Sequence, residues 1–92
     1  MGLLDKKACR NDGIAWRIIE EEALLVNPTA GHIFPLDGVG TRIWELIDGE
    51  RTVGQIARQI TEEFEADVAT VERDVEEFAG RLAAEGLVTV YD

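Results

Sequence analysis

The apolar residues of this chain change spacing once, at Pro35, and that switch limits the fold more than any other feature. Before it, Ile14, Trp16 and Ile18 alternate with Ala15, Arg17 and Ile19, the period of a strand with one better-buried side. Ala23-Leu24-Leu25-Val26 is a second run of strand length, set off by the polar bend Glu20-Glu21-Glu22. Asn27-Pro28-Thr29-Ala30-Gly31 reads as a turn into His32-Ile33-Phe34. Pro35 has no amide hydrogen, so the third strand is expected to be an edge strand that ends there.

After Pro35 the apolar spacing is helical. Val39, Ile43, Leu46 and Ile47 follow the N-cap candidate Asp37 and stop at Asp48-Gly49. Thr52-Val53-Gly54-Gln55 fits a capping box and opens a stripe of Val53, Ile56, Ile60 and Phe64. A longer helix is expected from about Asp67, carrying Val68, Val71, Val75, Phe78 and Leu82, with Gly86 as its stop. Leu87–Tyr91 is expected to add a short terminal strand. The fold class is therefore α+β: an N-terminal three-stranded antiparallel sheet followed by three helices in helix-turn-helix order. Residues 1–12, polar and closed by Asn11-Asp12-Gly13, are expected as a flexible tail, and residues 13–92 as one domain.

Charge narrows the function. Nineteen acidic against nine basic residues give a net charge of -10, which repels phosphate backbones and anionic lipid headgroups. No nucleic acid and no membrane is expected as partner. Cys9 is the single cysteine, so one chain can form neither a disulfide nor a cysteine metal cluster. The opening residues lack an apolar signal core, and the expected location is the cytoplasm. The opening methionine favours a free-standing chain over a domain of a larger enzyme.

Candidate chemistry is sparse. His32 is the lone histidine and has no partner in the sequence to orient it as a proton shuttle or ligand; it reads as a polar edge residue. Cys9 lies two residues after the Lys6-Lys7 pair in the expected tail, with nothing to fix its geometry. Glu20-Glu21-Glu22 and Glu62-Glu63 read as solvated faces rather than acid/base pairs. Trp16, Trp44 and Ile43 are assigned to the core. Val71, Val75 and Phe78 divide between core and groove, because a helix beside a sheet edge shares its stripe between the two. Gly80 sits mid-helix at a cost of about 0.8–1 kcal/mol relative to alanine. No catalysis, metal or cofactor is expected.

One ordered set of residues carries a resemblance. Trp16 in the first strand, Leu36 closing the third, Gly40, Ile43-Trp44-x-Leu46 and Asp48-Gly49 lead into Thr52-Val53, Ile56 and Phe64. Asp74-Val75, Phe78, Leu82 and Gly86-Leu87 complete the set. The chain resembles the PqqD-like proteins, the recognition elements for precursors of ribosomally made, post-translationally modified peptides. It departs from their pattern at Asp37, where asparagine is frequent, and at Pro35, where a backbone donor is missing from the edge.

The resemblance implies a winged helix-turn-helix-like fold that binds the leader of a precursor peptide as an added strand. The chain would then present the leader to a maturation enzyme, such as a radical-SAM protein or a leader peptidase, in natural-product or PQQ-type cofactor biosynthesis. By the same resemblance the contacts are Gly31, His32, Ile33, Phe34 and Leu36 on the third strand. On the third helix they are Thr70, Val71, Asp74, Val75, Phe78 and Arg81. The competing reading is a winged-helix DNA-binding regulator. It requires a basic recognition helix, whereas this helix and its flanks carry Asp67, Glu72, Asp74, Glu76, Glu77 and Glu85 against Arg73 and Arg81.

Overall fold

The computed structural model describes residues 2–92; Met1, the first residue of the expected tail, lies outside them. Five strands and three helices follow in the order β1 (Lys7–Arg10), β2 (Ala15–Ile19), β3 (Glu22–Asn27), β4 (His32–Pro35), α1 (Gly38–Leu46), α2 (Val53–Phe64), α3 (Val68–Ala84) and β5 (Val88–Tyr91). The α+β class and the three helices are as expected. The strands divide into two antiparallel sheets, β2-β3-β4 and β1-β5.

The second sheet corrects the expected tail. Lys7–Arg10 is a strand that pairs with β5 from Lys7↔Tyr91 to Arg10↔Val88. The segment before it supplies carbonyls to the start of α2, Lys6 to the Val53 N–H and Leu4 to the Gly54 N–H, at 2.8 and 2.9 Å. Ala8 is fully buried, and its carbonyl accepts from the Gly49 N–H at 2.8 Å. What orders this segment is main-chain pairing with residues about eighty positions away, which no local apolar pattern advertises. The expected turn does form at Asn11-Asp12-Gly13, where Gly13 has φ +86°.

Each helix starts at the cap its sequence offers. The carboxylate of Asp37 accepts from the Gly40 N–H at 2.7 Å, and Asp67 accepts from the Thr70 N–H at 3.0 Å. Both halves of the Thr52–Gln55 capping box are present, at 2.8 and 3.1 Å. After α3, Gly86 takes φ +76° and Leu87 N–H returns to the Leu82 carbonyl at 2.9 Å, which closes the helix as glycine at that position permits.

Ala23, Leu25 and Leu36 on the inner face of the three-stranded sheet meet Ile43, Trp44 and Leu46 of α1, with α2 and α3 behind. A buried hydrogen bond joins the layers: the Ala23 N–H donates to the Thr41 hydroxyl at 2.7 Å. Asn27, also buried, accepts from Thr29 and Ala30 in the turn and donates to the Glu85 carbonyl at 3.3 Å.

Several apolar side chains lie farther out than their spacing implies. β2 has no buried face: Trp16 is 40% and Ile18 44% exposed. The reason is position, since β2 is an edge strand and α1 packs on β3. Trp16 therefore leans edge-on against Trp44, ring centroids 6.0 Å apart, instead of entering the core. Phe64 and Val68 flank the α2–α3 turn, where Glu65 adopts a left-handed conformation, and both are exposed there.

Gly80 has no close neighbour that forbids a side chain. A Cβ there would meet only Leu3 Cδ1, at an ordinary 3.8 Å. Gly80→Ala is accordingly expected to raise the unfolding free energy by roughly 0.4–1 kcal/mol, read as a higher urea midpoint at unchanged slope.

Candidate functional site

Alternation along β4 decides which of its main-chain groups face outward. The Leu36 N–H donates to the Ala23 carbonyl at 2.8 Å, so Leu36–Ala23 is a hydrogen-bonded pair. With the β3–β4 register this makes Phe34–Leu25 and His32–Asn27 the hydrogen-bonded pairs, and Ile33–Val26 and Pro35–Leu24 the others. Ile33 and Pro35 thus direct their main chain away from β3. Pro35 has no hydrogen to give, so between His32 and Pro35 the free edge offers one donor, the Ile33 N–H. Pro35 sits where its missing hydrogen costs the ladder nothing.

A groove of about 600 Å³ opens beside the end of this strand, walled by α1 and α3. Leu36, Ile43, Val71, Val75 and Leu82, all buried, make its floor. Phe34 and Phe78 stand at its sides, half-buried. The Phe78 ring reaches α1 because residue 40 is glycine: a Cβ there would lie 3.3 Å from Phe78 Cζ and 3.1 Å from the capping oxygen of Asp37. Asp37, Asp74 and Glu85 against Arg81 leave the lining with an acidic surplus. Such a site accepts an extended chain bearing apolar side chains and basic groups.

Phe34, Leu36, Val71, Asp74, Val75, Phe78 and Arg81, singled out from the sequence, come together in this groove. Gly31, His32 and Ile33 lie along the exposed edge and its turn, outside the groove lining. His32 faces the Phe34 ring edge-on at 5.8 Å. Thr70 is committed elsewhere, since its N–H and hydroxyl both donate to the Asp67 carboxylate at 3.0 Å. Those bonds, the backbone one foremost, hold Asp67 below the usual carboxylate range. Val39, Gly40, Ile60, Glu85 and Leu87 line the groove without having been picked out as site residues. Each carries a signal of another kind: Val39 and Ile60 in the helical stripes, Gly40 and Leu87 in the resemblance, and Glu85 in the acidic surplus of the third helix and its flanks.

Known proteins share this architecture. TbiB1, solved in complex with the TbiA(beta) leader peptide, is 33% identical, with a TM-score of 0.82 over 91% of this chain and 98% of its own. The PqqD truncation of Methylobacterium extorquens PqqCD, described as a functional, stand-alone recognition element, is 27% identical, with a TM-score of 0.73 over 89% and 87%. A lasso peptide synthetase B1 complexed with its leader peptide has the same fold at 17% identity, with a TM-score of 0.80 over 90% and 98%. None of the curated protein sequences matches. The family model for coenzyme PQQ synthesis protein D matches residues 22–88, from the first residue of β3 to the first of β5, and so spans the free edge, the groove and all three helices. The chain belongs to the PqqD family.

Proposed function

We propose that this domain binds the leader of a ribosomally made precursor peptide as an additional strand on β4, lodged against α3, and presents it to a separate maturation enzyme. One observation carries the reading: the free edge of β4, with its outward Ile33 main chain, runs beside an apolar groove with an acidic rim. Main-chain pairing supplies affinity for any extended peptide, and the pockets between Phe34, Phe78 and the α1 start supply selectivity. The chain's own part is recognition; the chemistry is done by the enzyme it serves, in the cytoplasm where the precursor is made. In this reading β5 and the helices form the winged helix-turn-helix-like part of the domain. The rival DNA-binding role is disfavoured by charge, because α3 carries Glu72, Asp74, Glu76 and Glu77 against Arg73 and Arg81.

The test is an amide chemical-shift titration with the leader encoded beside this gene. Shifts are expected in two stretches together, Gly31–Phe34 and Val71–Phe78. Shifts confined to the far face of α2, or no saturable change at tens of micromolar leader, would sink the assignment.

A further inference from the structure

The sheet has a second free edge that leader binding leaves unused. Glu20 and Glu21, with φ of 52° and 70°, close β2 onto β3 as a two-residue hairpin that pairs Ile19 with Glu22. In such a hairpin the closing pair is hydrogen-bonded, so alternation turns the N–H and C=O of Trp16 and Ile18 away from β3. Among the described residues β3 is the one strand beside β2, and neither Trp16 nor Ile18 donates to another loop or turn carbonyl. β2 therefore presents two outward N–H groups, where β4 presents one.

Beside this edge lies a cleft of about 410 Å³ between the hairpin, α1 and the end of α2. Ile18 and Phe64, large apolar side chains from distant parts of the sequence, flank it at 44% and 47% exposure. Its one cation is already engaged: Arg42 donates through Nε and Nη2 to the two carboxylate oxygens of Glu63, both at 2.8 Å, and its Nη1 lies 3.5 Å from Glu45. The bonds from Arg42 and Gln59 hold the Glu63 carboxyl at about 2. Glu21 and Glu45 remain on the cleft as acidic surplus, with Glu20 and Glu22 at the hairpin.

We infer that β2 and this cleft form a second docking site, for an extended segment of another protein that carries lysine or arginine alternating with aliphatic residues. A second copy of this chain fits poorly. It would bring together two chains of net charge -10, and pairing Trp16 with Ile18 of the copy sets Arg17 opposite Arg17. That the segment belongs to the maturation enzyme rests on the function proposed above; the site itself does not. The domain would then hold peptide and enzyme on opposite edges of one sheet, five strands wide with both in place.

The probe is a blocked six-residue peptide of alternating valine and lysine, titrated into the full chain beside the same peptide with glutamate for lysine. The lysine peptide is expected to shift the amides of Trp16, Ile18, Thr41 and Phe64, and the glutamate peptide to shift none. Binding should survive Ile33→Pro, which blocks the β4 edge, and be lost in Ile18→Pro, which removes an outward donor without touching the β2–β3 ladder. Phe64→Ala, at an exposed position, should weaken it at least about fivefold. A thermal melt confirms that each variant folds. Equal binding of the two peptides, shifts only at Gly31–Phe34 and Val71–Phe78, or undiminished binding in Ile18→Pro would overturn the site. A dimer that Ile18→Pro dissociates, with no peptide bound, would reassign the edge to contact between copies. Loss of leader binding alone would overturn the function proposed above and leave this site standing.

Discussion

Trp44→Ala is expected to lower the unfolding free energy by about 3–5 kcal/mol, the range for removing a large aromatic from a core. A domain of this length holds roughly 5–14 kcal/mol in all, so the variant would lose about a fifth of its stability or more. Trp44 is fully buried at the centre of the helix–sheet contact, with Trp16 edge-on at 6.0 Å and the Arg10 guanidinium 5.7 Å from its centroid. Arg10 also lies 5.3 Å from the Trp16 ring, so one cation from β1 bridges the two indoles and ties the small sheet to the large one. The indole N–H of Trp44 is buried without an acceptor, an unfavourable feature of roughly 1–3 kcal/mol that phenylalanine would remove. Trp44→Phe should therefore cost well under half of Trp44→Ala. Trp16→Ala, at an edge position already 40% exposed, should cost less than Trp44→Ala as well. Urea unfolding of the three variants followed by circular dichroism checks the order. Equal losses for Trp16→Ala and Trp44→Ala would contradict this account of the core.

The helical half was legible because its signals are local. Asp37, Thr52 and Asp67 each cap a helix within three residues of themselves, and Gly86 ends the last one with its own positive φ. The strands depend on partners elsewhere. β1 was invisible: its buried side chain is Ala8, and its register is set by β5 at the other end of the chain. Two strand-length runs on either side of Glu20-Glu21-Glu22 imply a hairpin but not which residues form its turn, because two glutamates at positive φ lack the Asn-Gly chemistry that marks a two-residue turn. The alternation of β2 is real, but it promises a buried face that an edge strand touching α1 chiefly through Trp16 and Trp44 does not have.

The groove divided in the same way. Helical spacing puts Val71, Val75 and Phe78 on one stripe without dividing it between core and groove, and it is the resemblance that assigns them, with Phe34 and Leu36, to a binding site. On the opposite wall Val39 and Ile60 read as ordinary helix and core and Gly40 enters only with the resemblance, because it is the packing of α1 and α2 with α3 that turns these residues toward a common space. Thr70 shows the converse. Its spacing places it on the groove side of α3, yet the adjacent Asp67 claims both of its donors.

Ile33→Pro is the substitution that separates strand addition from groove packing. The Ile33 N–H faces away from β3, so proline there removes no hydrogen bond of the β3–β4 ladder. The same strand already accommodates a proline at its next outward position, residue 35. With both positions proline, the edge from His32 to Pro35 would have no outward donor, and the pyrrolidine ring would stand where the incoming strand must approach. A leader carbonyl left unpaired against this edge costs about 1–3 kcal/mol, so affinity should fall by about fivefold or more. Ile33→Ala is the control: it keeps the N–H, and its truncated side chain lies on the sheet face opposite the groove, so leader affinity should change by less than about threefold, within the range of peripheral contacts. Calorimetric titration of the leader into both variants, with thermal melts to verify folding, gives the comparison. A proline variant that binds as well as the alanine variant would mean that the leader reaches α3 without pairing to β4. Affinity lost in both alike would place the contact on the outer sheet face instead of the edge.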